Sequence, residues 1–408
     1  MRHYYYKKSH QNLPHIVKFS GGRSSGYMLF NMLKNGMLKK ERGDFVLFNN
    51  TSAEHSKTYE FVMKCKRECE ETYGIPFFLI EFQTFEDCKG GIYDRFGAYR
   101  LVNDKPFSKK NPFGYKFGGE VFEELISWKA FVPNQMSRIC TQNLKMETSK
   151  QFIRDWFFGE SSIPRLGHFD SVSLIDKDAL YEKHLKNNGS VPREIYLSKK
   201  EFVLNLPLWR EEQEYQDFTS VDLGYRKEIK GSEYLTFIGF RSDEPQRITK
   251  MKDRIAKNDK KSAEYNDNIN LEEFPYLRDG VEHVYMPMIK FCTTKQDVKE
   301  FWEKQNFDLG LDYDGKYGNC VYCFMKGTKK LLEIKSASKL KTPENIDWWI
   351  KMEQKYQRDL KAEGRKTKKD GAKFVNFFGE SSKLSYEKIK NGSDEVEGAM
   401  ELPCHCSD

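Results

Sequence analysis

The sequence lacks any hydrophobic run of the roughly 18 residues that a membrane-spanning helix needs. It begins M-R-H-Y-Y-Y-K-K, without the apolar stretch of a signal peptide. These absences predict a cytoplasmic protein with no membrane partner. Hydrophobic residues make up only 38% of the 408 residues, but aromatic residues reach 14%, which predicts a folded core and excludes a wholly disordered chain.

The sequence also lacks the even number of cysteines that a closed set of disulfides would need, and it lacks a strong net charge. Its nine cysteines are an odd number, and in a reducing compartment cysteine clusters indicate metal or redox chemistry instead. The net charge of +7 is mild. It suits an anionic partner such as a nucleotide or a nucleic acid, and it suits an ordinary solvated surface equally well.

Apolar stretches and helical patterns alternate along the first third of the chain. Residues 15–19, 44–49 and 75–82 have the pattern of strands, and residues 23–33 and 57–73 have helical spacing. This alternation predicts right-handed crossovers and a parallel sheet that presents ligands beyond the carboxyl ends of its strands. We therefore expect an α/β fold, with a Rossmann-like parallel sheet of about five strands, helices on both faces, two insertions and a C-terminal helical region with a cysteine cluster.

Two polar stretches, residues 83–132 and 159–232, interrupt this pattern. Neither has a consistent period, so we interpret both as insertions, the first of them irregular and near the active face. Residues 234–240 predict a further buried strand. The Lys-rich stretch 361–373 predicts a flexible linker. Further helices are predicted over residues 144–158, 293–305, 324–335 and 343–360.

A glycine-rich segment, S-G-G-R-S-S-G at residues 20–26, follows the first strand and opens the first helix. Gly21 and Gly22 let the backbone approach a ligand without a Cβ clash. The first N–H groups of the helix point at the same place, with the positive end of the helix dipole behind them. The segment predicts an anion site, although any tight turn between a strand and a helix also favours glycine.

With three further segments, the chain resembles the adenine nucleotide α-hydrolase (PP-loop) superfamily, in particular its phosphoadenosine phosphosulfate reductase branch. The likeness covers roughly residues 15–330, without the insertions and the tail. The four segments are F-S-G-G-R-S-S at residues 19–25, N-T-S-A-E at residues 50–54, R-I-C-T at residues 138–141 with Leu144 and Lys145, and G-F-R-S-D-E at residues 239–244 with Arg247.

The resemblance implies a site for ATP or another adenine nucleotide. Thr51 and Glu54 would lie near the ribose or a Mg²⁺ ion, with Glu54 as a catalytic residue. The residues implied to contact phosphates at the glycine-rich loop are Ser20, Gly21, Gly22, Arg23, Ser24 and Ser25.

The resemblance also implies that Arg138, Arg241 and Arg247 contact phosphate or sulfate, with Glu244 beside them. The guanidinium fork matches such oxyanions in two-point geometry. A surface ion pair with Asp243 or Glu244 is the alternative role for these arginines.

The sequence departs from the family pattern at two places. Ser24 stands where many ATP pyrophosphatases of the superfamily have aspartate, and Ser52 replaces the glycine of the second turn. The first change removes one potential metal or orienting ligand from Mg²⁺-assisted ATP cleavage. Glu54 is expected to compensate.

Cysteines form the second signal. Cys320 and Cys323 form a Cys-x-x-Cys knuckle, Cys140 lies in the third segment of the likeness, and the chain ends in Cys404-His405-Cys406-Ser407-Asp408. The resemblance implies a four-iron cluster held by Cys140, Cys320 and Cys323, with Cys406 as a further ligand. By ligand count, zinc bound by these three cysteines and by Cys406 or His405 is an equal alternative.

The remaining cysteines and the late tryptophans have other predicted roles. Cys404 and Cys406 are candidate nucleophiles on a mobile tail, with incidental free thiols as the alternative. Cys65 and Cys69 share one helical face and are predicted to lie in the core. The pair at residues 348–349 (W-W) is also predicted to be core.

These features predict a sulfurtransferase-like ATP pyrophosphatase that adenylates an acceptor and transfers sulfur with an iron–sulfur cluster. The acceptor and the sulfur donor stay open; a nucleic acid is a candidate acceptor, by analogy with enzymes of the same fold, and a protein is a candidate donor. Two alternatives stay open: a sulfonucleotide reductase that releases sulfite, and a non-catalytic nucleotide- or nucleic-acid-binding module with structural zinc. The corresponding division of the chain is residues 1–158 and 233–330 for the nucleotide-binding core, residues 159–232 for an insertion and residues 331–408 for a helical extension with a basic, cysteine-containing tail.

Overall fold

The computed structural model of the protein describes residues 7–89, 92–158, 176–186, 192–194, 196–197, 233–258, 276–278, 280–336, 342–361, 364, 373–380 and 384–392. Most of the predicted second insertion and of the predicted linker lies outside these residues. The same holds for Cys404 and Cys406.

Among the described residues, eight strands form one sheet in the order β5-β4-β3-β2-β1-β6-β8-β7, and three short strands form a second sheet in the order β11-β10-β9. The strands are β1 (His15–Phe19), β2 (Phe45–Asn50), β3 (Phe77–Lys89), β4 (Ile92–Pro106), β5 (Gly114–Tyr115), β6 (Tyr234–Ile238), β7 (Tyr276–Arg278), β8 (Glu282–Tyr285), β9 (Arg358–Asp359), β10 (Phe374–Asn376) and β11 (Gly379–Glu380).

Helices connect and cover the strands. The α-helices are α1 (Arg23–Lys34), α2 (Ser56–Arg67), α3 (Glu120–Lys129), α4 (Ile139–Thr141), α5 (Thr148–Phe158), α6 (Lys177–Lys186), α7 (Pro245–Asn258), α8 (Pro287–Lys290), α9 (Lys295–Trp302), α10 (Thr328–Glu333), α11 (Ile346–Tyr356) and α12 (Tyr386–Asn391). Short 3-10 turns span Lys8–His10 and Lys40–Arg42, and π-helical turns span Glu68–Thr72 and Gln142–Glu147. No helix in the described part of the chain is long and apolar enough to cross a membrane.

The centre of the large sheet is parallel, as the strand and helix alternation predicts. Strands β3, β2, β1, β6 and β8 pair in parallel with one another. Helix α1 connects β1 to β2, and α2 connects β2 to β3, so the carboxyl ends of these strands lie at one edge of the sheet. The α/β fold class is confirmed.

Both faces of the sheet are covered because its central strands are apolar on both sides. On one face, Val17 and Phe19 pack in a core with residues of α1, α2 and α9, including Trp302. On the other face, Ile16 packs in a core that includes Phe152 and Trp156 of α5. Strands β2 and β3 accordingly begin with continuous apolar runs, F-V-L-F at residues 45–48 and F-F-L-I at residues 77–80, and not with alternating patterns.

The prediction of an irregular insertion over residues 83–132 is wrong. Strand β3 continues to Lys89 and pairs antiparallel with β4, and α3 follows. Several of the glycine and lysine residues that break the sequence pattern fall in the connection from β4 to α3. Within β4, Tyr99 and Leu101 are buried, which is the core contribution that the polar neighbours concealed.

The C-terminal region contains more than helices. Besides α10, α11 and α12, it includes the small antiparallel sheet β9 to β11. A core of its own joins these elements to α3, with Trp349, Phe377 and Tyr386 among its buried residues. The prediction that residues 348–349 are core is therefore confirmed.

Candidate functional site

The glycine-rich loop joins β1 to α1, and its two glycines do different things. Gly21 has φ +75°, and a Cβ there would come within 2.9 Å of Thr58 Cγ2 and 3.1 Å of Phe48 Cε2. Gly22 has φ −102°, and a Cβ there would meet nothing closer than Ser20 Oγ at 3.7 Å. Gly21 is required by the fold, whereas Gly22 leaves open space in front of the helix N-terminus.

Serine hydroxyls hold the loop in shape. Ser25 Oγ donates a hydrogen bond to the carbonyl oxygen of Gly22 at 2.9 Å and accepts one from the backbone N–H of Ser20 at 3.2 Å. The hydroxyls of Ser20 and Ser25 are 3.0 Å apart. The loop is thus organised by its own side chains before any ligand is bound, which favours tight binding of an anion at the N-terminus of α1.

Arg241 reaches the loop from the end of β6. A Cβ at Gly239 would lie 3.1 Å from Ser25 Cα, so glycine lets the backbone after β6 pass close to α1. Arg241 Nη1 donates to Ser24 Oγ at 2.9 Å, while its Nε donates to Asp243 at 2.8 Å. Arg241 therefore forms the ion pair that was its alternative role, and it also donates a hydrogen bond to the glycine-rich loop. Its contact with a phosphate or sulfate stays a prediction.

Glu244 organises the arginines around it. Its carboxylate accepts hydrogen bonds from the backbone N–H of Arg241 at 3.1 Å and from Arg247 Nη1 at 2.9 Å. Arg247 also stacks over the Phe240 ring at 4.3 Å. Both acidic residues, Asp243 and Glu244, thus orient cations toward the loop and are not themselves suited to bind an anion.

Arg23 has a different environment from the one expected for a phosphate ligand. Its Nε and Nη2 donate to the two carboxylate oxygens of Asp308 at 2.7 and 2.5 Å, and Nη2 also donates to the Leu311 carbonyl at 2.6 Å. The guanidinium stacks on Tyr313 at 3.9 Å. Burial alone would raise the pKa of Asp308, but the hydrogen bonds from Arg23 and from the backbone of Gly310 and Leu309, together with the charge of Arg23, lower that pKa overall. Arg23 therefore ties the loop to the 308–313 segment.

These segments surround one open cleft. Its volume is about 1870 Å³, including the solvent at its mouth. Cations outnumber acids along its wall, so the cleft as a whole favours an anionic ligand. The lining residues are Ser20, Gly21, Gly22, Arg23, Ser24, Thr58, Gly239, Arg241, Asp243, Glu244, Pro245, Gln246, Arg247, Lys295, Leu309, Tyr313, Asp314, Gly315, Gly318, Asn319, Cys323, Met325, Lys326 and Lys330.

Thr51 and Glu54 lie in the turn after β2 and are buried. Thr51 Oγ1 donates to Glu54 Oε1 at 2.6 Å, and the Tyr59 hydroxyl donates to Glu54 Oε2 at 3.0 Å. Glu54 is only 4% exposed and is not among the residues that line the cleft. Its carboxylate fixes the turn, so a direct part in catalysis stays a prediction that this geometry does not favour.

Ser52 stands at the position where the resembling family has a glycine. It adopts the left-handed conformation with φ +57°, which is uncommon for a residue other than glycine. Its hydroxyl accepts a hydrogen bond from the backbone N–H of Val121 at 2.8 Å, at the first turn of α3. The serine thus satisfies an N-terminal donor of that helix, which a glycine could not do.

The structure brings together three of the predicted metal-binding cysteines. Cys140, Cys320 and Cys323 line one small apolar cavity, which has room for about one water molecule. The other lining residues are Thr51, Phe122, Thr141, Leu144, Lys145, Phe324 and Trp349. Within the described ranges, no group of three His, Cys, Asp or Glu side chains is arranged around the position of a single metal ion.

The cysteine knuckle is joined to the turn after β2. Cys320 forms an antiparallel bridge with Glu54, and the backbone N–H of Val321 donates to the Ala53 carbonyl at 3.0 Å. Cys320 Sγ lies 3.6 Å from Thr51 Oγ1. Cys323 lines both the small cavity and the large cleft. The two sites therefore share a wall.

Other predicted residues fall outside this arrangement. Arg138 donates from Nη2 to Thr141 Oγ1 at 3.3 Å, which supports the turn that carries Cys140, and it is not among the residues lining the cleft. Cys65 and Cys69 are buried in the core beneath α1, as predicted, and burial raises the pKa of both thiols. The tail cysteines lie outside the described residues.

Sequence patterns missed several cleft residues. Tyr313 lines the cleft, and Asp308 pairs with Arg23 beside it. Both come from an irregular segment whose position depends on long-range contacts, so no spacing could identify them. Lys326 follows the knuckle by three residues, and a cation at that spacing is a signal that could have been used.

Comparisons of the chain with protein-family models, with curated proteins and with solved structures find no match. A functional assignment must therefore come from the geometry of the cleft and of the cysteine cavity.

Proposed function

We propose that the protein binds ATP or another adenine nucleotide in the cleft, adenylates an acceptor, and transfers sulfur with an iron–sulfur cluster held by Cys140, Cys320 and Cys323. The observation that carries this proposal is that Cys323 lines both the cleft and the three-cysteine cavity. A centre bound by these thiols would lie beside the nucleotide.

The nucleotide half of the proposal is supported by the junction of β1 and α1. Backbone N–H groups at the start of a twelve-residue helix face the space that Gly22 leaves open. Arg241 adds a positive charge at the same place, held by Asp243 and Glu244. Adenylation moves negative charge onto the phosphates that leave, and these groups are suited to stabilise it.

The proposed metal centre is supported by the chemistry of its candidate ligands, the three thiols. Thiolates suit iron–sulfur clusters and zinc, and three of them line one cavity with apolar walls. When bound, such a cluster supplies a redox-active iron centre. The fourth ligand proposed is Cys406. Magnesium fits less well, because both carboxylate oxygens of Glu54 already accept hydrogen bonds from buried donors.

A sulfonucleotide reductase is the second candidate. Ser24 replaces the aspartate of many ATP pyrophosphatases, and its hydroxyl accepts from Arg241, so the loop presents one acid fewer and one guanidinium close by. That arrangement also suits a sulfate-bearing nucleotide. In this reaction a tail thiolate, Cys404 or Cys406, would attack the sulfur atom, form a thiosulfonate and release the nucleotide; a second thiol would then release sulfite and leave a disulfide.

A nucleic-acid acceptor and a protein sulfur donor remain part of the proposal, and so does a cytoplasmic location. The net charge of +7 is compatible with a nucleic acid. A non-catalytic nucleotide- or nucleic-acid-binding module with structural zinc is the third reading of the same residues.

Calorimetry with ATP tests the nucleotide site. The Gly22→Val variant fills the space in front of α1 without a clash inside the protein, so it should fold normally and lose at least about a hundredfold in affinity, whereas Gly22→Ala should lose less. Equal affinity in all three proteins would refute the site.

Product analysis separates the candidates once binding is established. Pyrophosphate released from ATP supports the adenylating enzyme, and sulfite released from a sulfonucleotide supports the reductase. Binding without turnover of either substrate supports the non-catalytic module.

A further inference from the structure

The wall between the cleft and the cysteine cavity is a short turn. Cys323 and Phe324 line the cavity, while Cys323, Met325 and Lys326 line the cleft. The turn is closed by two backbone hydrogen bonds, from Cys323 N–H to the Cys320 carbonyl at 3.2 Å and from Lys326 N–H to the Cys323 carbonyl at 2.9 Å. Whatever moves this turn moves two cysteines.

The ammonium group of Lys326 lies at the centre of the turn. It donates to three backbone carbonyls: Lys316 at 2.5 Å, Val321 at 2.7 Å and Cys320 at 3.0 Å. An ammonium group has three protons, so these bonds match its full donor capacity. The side chain is 9% exposed, although it lines the cleft.

The contacts make the ammonium a structural part of the cysteine loop. Three carbonyl dipoles that converge on one point repel one another unless a cation lies between them, and a buried acceptor without a donor is costly. The far side of the loop is held separately, by the bond from Val321 N–H to the Ala53 carbonyl. Lys326 therefore holds the loop from the side of the cleft.

We propose that Lys326 is a positioning residue that keeps the Cys320–Cys323 loop in shape and transmits the binding of an anionic ligand in the cleft to Cys320. Phosphate oxygens in the cleft attract the ammonium group and compete with the carbonyls for its protons. The hydrogen bond from Lys326 to the Cys320 carbonyl is then weakened, so the loop is held less firmly at Cys320. The positioning role stands on the contacts alone, whereas the transmission to Cys320 rests on the proposed nucleotide site.

The positioning role is tested by the rate at which Cys320 is alkylated in anaerobically purified protein, followed by peptide mass spectrometry without nucleotide. If the thiols hold a metal, alkylation must wait for its release, so the same measurement serves both cases. Lys326→Met should raise the rate about tenfold or more, the equivalent of one to two hydrogen bonds. Lys330→Met removes a cation that lines the same cleft and should stay within about twofold of the parent.

An unchanged Cys320 rate in Lys326→Met would overturn the proposal, and so would an equal increase in Lys330→Met. If Lys326→Met does not fold, Lys326→Arg decides alone. A planar guanidinium keeps the charge but cannot place three donors in the same way, so the rate should rise severalfold. A rate like that of the parent would overturn the positioning role.

Transmission is tested by repeating the measurement with ATP. In the parent, ATP should raise the Cys320 rate about two- to tenfold, the equivalent of one hydrogen bond, and the effect should disappear in Lys326→Met. An ATP effect of equal size in a Lys326→Met protein that still binds ATP would overturn transmission. If calorimetry finds no ATP binding to the parent, the proposed function fails, and the result without nucleotide still decides the positioning role.

Discussion

The open cleft and the cysteine cavity share a wall but differ in size and in lining. The cleft is open and lined by charged groups, among them Arg241, Arg247 and Lys295. The cavity is small and apolar, and its aromatic wall includes Phe122 and Trp349. Open, charged surfaces attract ions from water, whereas dry, apolar surroundings protect thiols from it. The protein thus has an open, charged cleft and a small, apolar cysteine cavity one turn apart.

The two sites also differ in what supports them. The cleft is built at the carboxyl end of the parallel sheet, where β1 and β6 meet α1. The cavity depends on the C-terminal region, since Trp349 of α11 packs against Phe377 and Tyr386 at ring distances of 5.3 and 5.5 Å. The region after residue 330 is therefore more than an extension, because it closes one side of the cysteine site.

Replacing a cysteine by serine should have the largest effect, and the effect on metal content should differ between the cysteine cavity and the apolar core. Cys320→Ser is expected to lose all bound metal, because serine is a poor ligand for iron or zinc, and to lose solubility with it. Cys65→Ser places a hydroxyl in an apolar core and should cost stability, while the metal content stays at that of the parent.

Iron, sulfide and zinc analysis of anaerobically purified protein, with its absorption spectrum, measures this difference. Matching iron and sulfide with a brown colour would identify a cluster, and stoichiometric zinc without sulfide would identify a knuckle. If the parent binds metal and Cys320→Ser retains it in full, the cavity is not the metal site.

The contrast between the two sites also explains what the sequence could predict. The loop at residues 20–26 and the strand that leads to Arg241 follow from local patterns, because a strand, a glycine pair and a helix are neighbours in the chain. The cysteine knuckle was recognisable from spacing alone. Its proximity to Cys140, 180 residues earlier, was implied by family likeness, since no periodicity encodes a contact between distant loops.

Long-range contacts give several residues surroundings that local sequence patterns do not encode. Arg23 lies within the predicted loop, yet Asp308 and Tyr313 hold its guanidinium from a distant segment. Ser52 replaces a glycine of the resembling family, yet it adopts the left-handed conformation. Its hydroxyl also accepts a hydrogen bond from the first turn of α3. Residues 83–132 have an irregular sequence pattern because the polar residues of the connecting segments outnumber the buried apolar residues of β4.

Exchanging two of the arginines of the cleft, Arg241 and Arg23, for alanine should separate ligand binding from structural support. Arg241→Ala is expected to lose about 1.5–3 kcal/mol of nucleotide binding, roughly ten- to a hundredfold in affinity, with little change in the melting temperature. Arg23→Ala should instead lose roughly 1.5–3 kcal/mol of unfolding free energy, because Asp308 loses a two-point partner. Calorimetry and denaturant unfolding of both variants measure the difference, and nucleotide affinity like that of the parent in Arg241→Ala would leave that residue as an ion-pair partner only.

A further expected effect concerns the core behind the cysteine cavity. Glu353 of α11 is 4% exposed, and its Oε2 accepts a hydrogen bond from the Tyr386 backbone N–H at 2.9 Å. Burial raises the pKa of this carboxyl to about 8, although hydrogen bonds from the backbone of Tyr386 and Phe377 lower it in part. In the folded protein the group is therefore largely protonated at neutral pH.

The sign of the resulting pH dependence follows from the raised pKa. Below the ordinary glutamate pKa of about 4.5, both the folded and the unfolded chain carry the proton, and the stabilisation is complete. As pH rises toward about 8, the unfolded chain ionises and the folded chain does not, so the stabilisation is lost. The free energy of unfolding of the parent should accordingly fall between about pH 5 and pH 8 by more than that of Glu353→Gln, whose amide does not titrate. Denaturant unfolding of both proteins across this pH range measures the difference, and the comparison isolates Glu353 from the other titrating groups. If the free energies of unfolding of the two proteins change with pH in parallel, the pKa of Glu353 is not raised, and the core behind the cysteine cavity is more accessible to water than its packing indicates.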